Sequence, residues 1–184
     1  MRAESGTAHA LVRDAREQDL PVIAAIYAHH VLSGLATFEI EPPDAAEMRR
    51  RYADVRARGL PYLVAERDGE VVGFAYAAPY RARPAYRFTV EDSVYVERSH
   101  LGHGIGGALL ASLVSACAPT GCRQMIAVIG DSANAASVAL HERCGFARVG
   151  LLPASGFKFG RWVDSVLMQR AIGEGDTSLP GENE

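Results

Sequence analysis

The sequence predicts a single α/β domain in which helices cover both faces of a mixed β-sheet. Three observations predict this class. Helical and strand periodicities alternate along the middle of the chain, an Asp-Gly pair separates two apolar runs, and a glycine cluster lies between a strand and a helix. The 184 residues, of which 48% are hydrophobic, suffice for one domain with a sizeable core.

Charge and composition exclude several classes of function. The net charge of −3 offers no basic field for nucleic acid or for a membrane surface. No apolar run approaches the ~20 residues of a membrane span, and residues 1–10 lack the apolar segment of a signal peptide, so we predict a cytoplasmic protein. An odd number of cysteines without a CxxC pair predicts small buried side chains, with a catalytic thiol as the alternative, and predicts no metal site.

The first half of the chain predicts a strand, two helices and a hairpin. Residues 1–9 are small and polar and predict a flexible tail before the domain, which we place at residues 10–172. Asp14 with Glu17, and Asp44 with Glu47, have the spacing of helix-capping boxes. The predicted elements are a strand at Leu11–Arg13, a helix opened by Asp14 and ended by Gly34, a helix at Asp44–Arg58, and strands at Tyr62–Glu66 and Val71–Ala77 around Asp68-Gly69.

The second half predicts alternating strands and helices. Residues 173–184 are rich in glycine, proline and acidic side chains, and predict a second flexible tail. The predicted elements are strands at Phe88–Val96 and Gln124–Ile129, helices at Gly104–Cys117 and Asn134–Cys144, and two last strands, Phe146–Leu152 and Trp162–Gln169, joined by a loop through Gly156 and Gly160.

The glycine cluster is the most informative stretch. Four glycines at positions 102, 104, 106 and 107 lie between a strand and a helix, where backbone N–H groups and the helix N-terminus favour a phosphate. A plain strand-to-helix turn is the alternative without a ligand. The spacing also matches the dinucleotide fingerprint G-x-G-x-x-G, with Asp131 after the next strand, but residues 97–101 separate strand from glycines and a hairpin precedes the unit.

The same stretch resembles the GNAT family of acetyl-CoA-dependent N-acetyltransferases. Their pyrophosphate loop reads Gln/Arg-x-x-Gly-x-Gly/Ala, and this chain has Leu101-Gly-His-Gly-Ile-Gly106, in which Leu101 departs from the pattern. From Leu11 to Arg170 the chain is similar in particular to the phosphinothricin acetyltransferase group, which includes methionine sulfoximine and methionine sulfone acetyltransferases. The matching segments are Tyr80–Tyr86, Phe88–Val96, Ile129–Ser132, Leu140–Glu142 with Gly145-Phe146, and Gly156–Asp164.

The resemblance implies both a fold and an activity. The fold is a mostly antiparallel, twisted sheet with a splayed central parallel pair. The activity is direct transfer of acetyl from acetyl-CoA to the α-amino group of a small amino acid such as phosphinothricin, methionine sulfoximine or methionine sulfone, in a homodimer. The alternatives are a GNAT-like module that binds CoA or an amino acid without turnover, and a nucleotide-dependent oxidoreductase.

Two residues are candidates for the catalytic proton transfers. Glu91 lies in an apolar strand, where burial would raise the pKa of a carboxylate, and the resemblance assigns it the role of general base; alternation alone favours an outward-facing side chain. Asp92 then points to the opposite face and is the weaker candidate. His141 lies two helical turns after Asn134, and the resemblance implies that it protonates the leaving thiolate; the alternative is an exposed helix histidine.

The remaining site residues are expected to bind the two substrates. Arg81 and Arg83 offer guanidinium groups that suit an acidic or sulfone oxygen, although loop arginines are often merely solvated. The resemblance adds two further sets. The residues implied to bind acetyl-CoA are Val94, Tyr95, Val96, Gly102, His103, Gly104, Ile105, Gly106, Gly107 and Asn134. The alternative for Asn134 is a plain helix N-cap. The residues implied to bind the amino acid are Phe38, Ala85, Tyr86 and Lys158.

One predicted loop also carries an expectation about assembly. Between Gly156 and Asp164 lie Phe157, Phe159 and Trp162, and three aromatic side chains on one terminal loop are typical of interface anchors. The alternative is that they fold back onto their own core.

Overall fold

The computed structural model describes residues 10–180, which form one seven-stranded sheet flanked by four α-helices. The sheet order is β1-β2-β3-β4-β5-β7-β6. The strands are β1 (Leu11–Asp14), β2 (Tyr62–Arg67), β3 (Glu70–Pro79), β4 (Thr89–Val96), β5 (Gln124–Gly130), β6 (Ala147–Lys158) and β7 (Arg161–Ala171). The helices are α1 (Leu20–Ser33), α2 (Ala45–Ala57), α3 (Ile105–Cys117) and α4 (Ala135–Arg143).

The sheet opens between its two central strands. β4 and β5 are parallel, whereas all other neighbouring strands are antiparallel. Their pairing covers Thr89–Glu91 on β4, after which β4 continues to Val96 and β5 to Gly130 without further pairing to each other. This confirms the predicted mixed sheet with a splayed parallel pair.

The helices lie on opposite faces of the sheet. Tyr27 of α1 packs edge-on against Tyr95 of β4, with ring centroids 5.0 Å apart. Asp92, an odd number of residues before Tyr95, instead reaches His141 of α4. Because successive side chains of a strand point to opposite faces, α1 covers one face at β4 and α4 the other. Helix α2 packs beside α1, and α3 beside α4.

The start of α1 differs from the prediction. The helix begins at Leu20, after a 3-10 turn at Glu17–Asp19, and Asp14 belongs to β1. The carboxylate of Asp19 accepts hydrogen bonds from the backbone N–H of Arg16 and from the Arg13 guanidinium, at 2.8 and 2.7 Å. The capping box predicted at Asp14 was therefore wrong: Asp14 ends β1, and the Asp19 carboxylate, bonded to Arg13 and Arg16, holds a 3-10 turn before α1 begins.

The last hairpin also differs. The loop predicted through Gly156 and Gly160 is wrong: the strands run on to Lys158 and from Arg161, and a two-residue turn joins them. Phe159 and Gly160 have φ of 52° and 74°, the left-handed pair typical of a tight hairpin. Phenylalanine is not a usual residue for such a turn, so the sequence did not reveal it.

Other local predictions are confirmed. Asp68 and Gly69 form the β2–β3 turn with φ of 53° and 83°, and the Asp44 carboxylate accepts a 2.8 Å hydrogen bond from the Glu47 N–H.

Of the two predicted tails, residues 1–9 and 181–184 lie outside the described residues. Residues 173–178 form turns, and Arg123 contacts Glu174 and Ser178. Within the described part of the chain, no helix is long and apolar enough to cross a membrane.

Candidate active site

The glycine loop ends at the N-terminus of α3. Gly102 and Gly104 have φ of 79° and 77°, and a Cβ on either would meet nothing within 4 Å, so the glycines serve the backbone conformation and leave open space beside it. No side chain among residues 10–180 caps α3. The first helical bond comes from Ala108 to the Gly104 carbonyl, which leaves the N–H groups of residues 105–107 outside the helical ladder. This geometry fits a pyrophosphate.

Two side chains of this loop, those of Leu101 and His103, do not cap the N-terminus of α3. Nδ1 of His103 donates a 3.0 Å hydrogen bond to the Leu101 carbonyl, which braces the loop and leaves Nε2 on the outer side of the ring. Leu101, at the position where the GNAT pattern has Gln or Arg, is 56% exposed. The loop thus offers backbone amides, and no long cationic or amide side chain at that position.

The splayed end of β4 presents peptide groups to the gap. Glu97 donates to Val72 and Tyr80 to Thr89 across the β3–β4 pair, so odd-numbered residues of β4 bond with β3. By the alternation of an antiparallel ladder, the N–H groups of Val94 and Val96 turn towards β5. The Val96 carbonyl accepts a 2.9 Å hydrogen bond from His30 of α1. The strand end is therefore fixed, with N–H groups directed where an extended amide chain can pair with them.

A cavity of about 310 Å³, here called the central cavity, lies at this gap. It is lined from both faces of the sheet. Its walls include Phe38 and Thr37 from the α1–α2 loop, Tyr76 from β3, Glu91 to Tyr95 from β4, and Asn134, Ser137 and His141 from α4.

Glu91 is half-buried on the central cavity wall. Burial raises its pKa above the usual value, the charge of Asp92 raises it further, and the charge of Arg81 lowers it. A carboxylate with a raised pKa is a better proton acceptor near neutral pH than an exposed one. The prediction that Asp92 points to the other face is also confirmed by its hydrogen bond to α4.

His141 is buried rather than exposed, at 4%. Its Nδ1 donates a 2.7 Å hydrogen bond to the Ser137 carbonyl, and Nε2 lies 3.1 Å from Oδ2 of Asp92. Burial is the largest influence and lowers its pKa, but the hydrogen bond and charge of Asp92, together with the Ser137 carbonyl, raise the pKa overall. Asn134 caps α4 by accepting from the Ser137 N–H at 3.2 Å, and also lines the cavity, so the capping role is confirmed.

Arg81, Arg83 and Tyr86 line a second, larger cavity of about 910 Å³, here called the arginine cavity. Tyr76 lines both cavities, and the Arg81 charge acts on Glu91, so the two are adjacent. The Arg81 guanidinium lies 4.9 Å above the Tyr80 ring. Ala85 is exposed in the 3-10 turn Pro84–Tyr86.

Phe38 and Lys158 meet where the last hairpin covers the α1–α2 loop. A Cβ on Gly156 would overlap the Phe38 ring, so glycine there lets the ring enter. A Cβ on Gly130 would clash with the Leu35 carbonyl oxygen and lie 3.2 Å from the Phe38 ring, so glycine there lets the α1–α2 loop approach. Lys158 is 2% exposed, and its ammonium donates to the Thr37 carbonyl. In this chain the ammonium lies beneath the loop, so its contact with a substrate stays a prediction.

Sequence reasoning missed three residues of the site and undervalued a fourth. Tyr76, Thr37 and His30 carry no motif, because their positions depend on which strand or loop faces the gap. Asp92 was recognised only as the neighbour of Glu91, and a buried carboxylate needs a partner. That requirement, together with a histidine predicted on the same helix side as Asn134, is the signal that could have paired Asp92 with His141.

The structure offers little for metal or disulfide chemistry. Among residues 10–180 no group of three or more His, Cys, Asp or Glu side chains could hold a metal ion. Cys117 and Cys122 are buried, as predicted, Cys144 is half-buried, and all three are free thiols.

Comparison with known proteins decides the family. Residues 23–146 match the acetyltransferase (GNAT) family. The chain belongs to the GNAT acetyltransferases. It is 57% identical to phosphinothricin N-acetyltransferase of Alcaligenes faecalis over 92% of this chain and 86% of that protein. It is 44% identical to the L-methionine sulfoximine/L-methionine sulfone acetyltransferase of Pseudomonas aeruginosa PAO1, over 87% and 93% of the two chains.

A solved structure agrees with this assignment. The crystal structure of a phosphinothricin acetyltransferase from Sinorhizobium meliloti in complex with acetyl-CoA matches with a TM-score of 0.91 and 49% identity, over 94% of each chain. This GNAT enzyme is therefore an acetyl-CoA-dependent N-acetyltransferase, and the oxidoreductase and non-catalytic alternatives are set aside.

Proposed function

We propose that this enzyme acetylates the α-amino group of phosphinothricin, methionine sulfoximine or methionine sulfone, with Glu91 as general base. The observation that carries the proposal is the place of the Glu91 carboxylate. It lies on the wall of the central cavity and within reach of the Arg81 charge, so a base and a cation that suits an acidic or sulfone oxygen lie close together. The named activities of the similar proteins support the same substrates.

Acetyl-CoA is proposed to bind along the α3–α4 face. The uncapped amides at the start of α3 hold the pyrophosphate over Gly102–Gly107, and the N–H groups of Val94 and Val96 bond to the pantetheine arm and to the thioester carbonyl. The other residues proposed to contact acetyl-CoA are Asn134, His103 and Ile105. Tyr95 contributes a buried ring that packs against α1 and supports β4. In this proposal the backbone N–H groups of the glycine loop, and not side chains, bind the pyrophosphate.

The amino acid is proposed to lie between the two cavities. Arg81 and Arg83 bind its acidic or sulfone end in the arginine cavity, flanked by Tyr86 and Ala85. Its amino group faces Glu91, and Phe38 closes the site from the α1–α2 loop. Glu91 accepts the proton of the ammonium group, directly or through a water, and the free amine attacks the acetyl carbon without a covalent enzyme intermediate.

The first experiment tests the base. Glu91→Gln keeps the shape of the side chain and removes its basicity, so kcat should fall by about 10²–10⁴-fold while acetyl-CoA still binds. Glu142→Gln, an exposed change on α4, is the matched control and should keep the wild-type kcat. A Glu91→Gln enzyme with near-full kcat would refute the assignment.

A second experiment tests the proposed binding of the amino acid substrate by the two arginines. Arg81→Ala with Arg83→Ala should raise KM for methionine sulfone and phosphinothricin about a hundredfold per lost charged contact. KM for acetyl-CoA should stay near the wild-type value, because the pyrophosphate loop lies at the other end of β4. An unchanged KM for both amino acids would remove the arginines from the site.

The enzyme is further proposed to be a homodimer. β6 is an edge strand of the described sheet, and apolar side chains on it, on the hairpin turn and at the start of β7 are largely exposed in the single chain. They are Val149, Leu151 and Phe157 on β6, Phe159 in the turn, and Trp162 on β7 at 67%. An exposed edge strand with apolar side chains can pair with a second copy of this chain, which would bury those side chains. The predicted compartment stays the cytoplasm.

Light scattering tests the assembly. The wild type should report twice the 19.7 kDa chain mass, and Trp162→Ser with Phe157→Ser should lower that mass. Leu179→Ser, also at a highly exposed apolar residue, should leave the mass unchanged. A wild-type mass of 19.7 kDa at the assay concentration would refute the homodimer.

A further inference from the structure

We propose that Asp92 is a positioning residue that keeps His141 doubly protonated beside the thiolate that leaves in the proposed reaction. The inference rests on the proposed function for the identity of the leaving thiolate. Its structural part, the charge state of His141, stands apart from the identity of the amino acid.

The hydrogen bonds of His141 determine where its protons lie. A carbonyl oxygen only accepts, so the contact with Ser137 requires a hydrogen on Nδ1. Nε2 and Oδ2 of Asp92 are 3.1 Å apart, and two bare acceptors would repel each other at that distance. A second hydrogen therefore lies between His141 and Asp92.

Burial and charge place that second hydrogen on the histidine. Both side chains are buried, at 4% and 8% exposure, where an unpaired charge of either sign would be costly. An imidazolium facing a carboxylate satisfies both groups. The raised pKa of His141 agrees with this arrangement, since the hydrogen bond and charge of Asp92 outweigh the effect of burial.

The other titratable groups near this pair do not replace Asp92. The hydrogen bond with Cys122 and burial raise the pKa of the Cys117 thiol at the end of α3, and burial raises the pKa of the Cys144 thiol after α4. The charge of Asp92 adds a smaller increase to both, so neither thiol is an anion that could take the place of Asp92. Arg143 and Arg170 act on Cys144, and Glu91 points to the opposite face of β4. Asp92 is thus the anion that faces His141.

The second oxygen of Asp92 is the unusual feature. Oδ1 is buried and has no hydrogen-bond partner among residues 10–180, while Asp92 lines the central cavity. A buried carboxylate in a purely structural ion pair normally has both oxygens satisfied. A carboxylate on the cavity wall with one oxygen committed to His141 and the other buried without a partner is not explained by a structural ion pair alone, and we assign it to the reaction site.

The proton balance of the transfer follows from this arrangement. Glu91 takes the proton of the ammonium group, the N–C bond forms, and the C–S bond breaks with its electron pair left on sulfur. Both N–H groups of His141 are committed to Ser137 and Asp92, so its positive charge, held close to the sulfur, stabilises the thiolate. The thiolate then takes its proton from solvent, and His141 stays an imidazolium throughout.

An NMR titration of the His141 imidazole tests the charge state in the wild-type enzyme without any substrate. The ring should remain an imidazolium at pH values above 6.5, the usual pKa of histidine. In Asp92→Asn, which keeps the shape and can donate to Nε2, the midpoint should fall by about one to three pH units. Asp68→Asn, in the exposed β2–β3 turn, is the control and should leave the midpoint unchanged.

Kinetics test the consequence. The alkaline limb of the kcat profile should move to lower pH in Asp92→Asn by the same amount as the His141 midpoint. The acid limb should also move to lower pH, because the charge of Asp92 adds to burial in raising the pKa of Glu91. The double variant Asp92→Asn with His141→Gln should lose no more kcat than His141→Gln alone.

Several results would overturn the proposal. A neutral His141 at neutral pH in the wild type would do so even if Asp92→Asn failed to fold. Equal midpoints in the two enzymes, or additive losses in the double variant, would also do so. If the enzyme does not acetylate the proposed amino acids, the measured charge state of His141 still holds. The proposed substrates and the role of Asp92 can therefore fail separately.

Discussion

The ammonium of Lys158 donates a 2.8 Å hydrogen bond to the carbonyl oxygen of Thr37, 121 residues away in the chain. This bond joins the β6–β7 hairpin to the α1–α2 loop, and Phe38 follows directly on that loop. The loop is held from the other side as well, because Glu39 accepts hydrogen bonds from Tyr27 and Arg51, at 3.0 and 2.6 Å. The wall that closes the central cavity is therefore anchored on both sides of Phe38.

Chemical labelling measures the burial of Lys158. It is the single lysine of the sequence and is 2% exposed, so an amine-reactive ester should leave the Lys158 side chain unlabelled in the native protein. The denatured chain should take one label more than the native protein, at Lys158. Mass spectrometry of the intact protein counts the labels, and equal rates of labelling at Lys158 in native and denatured protein would contradict the anchored loop.

Gly104→Ala should weaken acetyl-CoA binding. An alanine there meets no atom, so its cost is the left-handed backbone, about 1–2 kcal/mol, and a shift of the loop away from φ of 77°. KM for acetyl-CoA should rise about tenfold or more. Gly69→Ala has the same type of strain, at φ of 83° in the β2–β3 turn, and should lower the melting temperature comparably without raising this KM. Equal effects on KM would mean that general destabilisation, and not the loop, is responsible.

Gly156→Ala should displace Phe38. Its Cβ would lie 2.4–2.8 Å from three atoms of the Phe38 ring, closer than any contact allows, so the ring or the hairpin must move. We expect a loss of about 1–3 kcal/mol in the free energy of unfolding and a raised KM for the amino acid. Gly150→Ala, on the same strand, places its Cβ at an ordinary 3.7 Å from Leu167 and should cost less than about 1 kcal/mol. Adding Phe38→Ala to Gly156→Ala should restore part of the lost stability; if it restores none, the clash is not the cause.

Arg81→Ala should shift the acid limb of the kcat profile. The pKa of Glu91 is raised by burial and by Asp92, and lowered by the charge of Arg81. Without that charge the pKa rises further, so the base is protonated up to a higher pH and the acid limb moves upward. Kcat measured at saturating concentrations of both substrates over a range of pH tests this, with Arg83→Ala as the comparison that should leave the limb in place. A downward shift for Arg81→Ala would contradict the electrostatic arrangement.

The order of strands and helices could be predicted from local signals. Periodicity, the Asp68-Gly69 turn and the glycine run before α3 depend on residues close in sequence, and the structure has the corresponding elements. The start of α1 and the last hairpin were predicted wrongly. The first depends on the Arg13–Asp19 ion pair, and the second on a left-handed Phe159 that no common turn pattern includes.

The sequence by itself determined the α/β class, the glycine loop before α3 and, through its motifs, the family, because tight glycine turns and periodic cores depend on contiguous residues. The tertiary structure alone decided which side chains meet at the gap between β4 and β5. Asp92 and His141 are 49 residues apart, and Thr37 and Lys158 are 121 apart. Such contacts follow from the splay of two parallel strands and from the hairpin folding over the α1–α2 loop, and the burial of charged groups at these points depends on neighbours that no local pattern specifies.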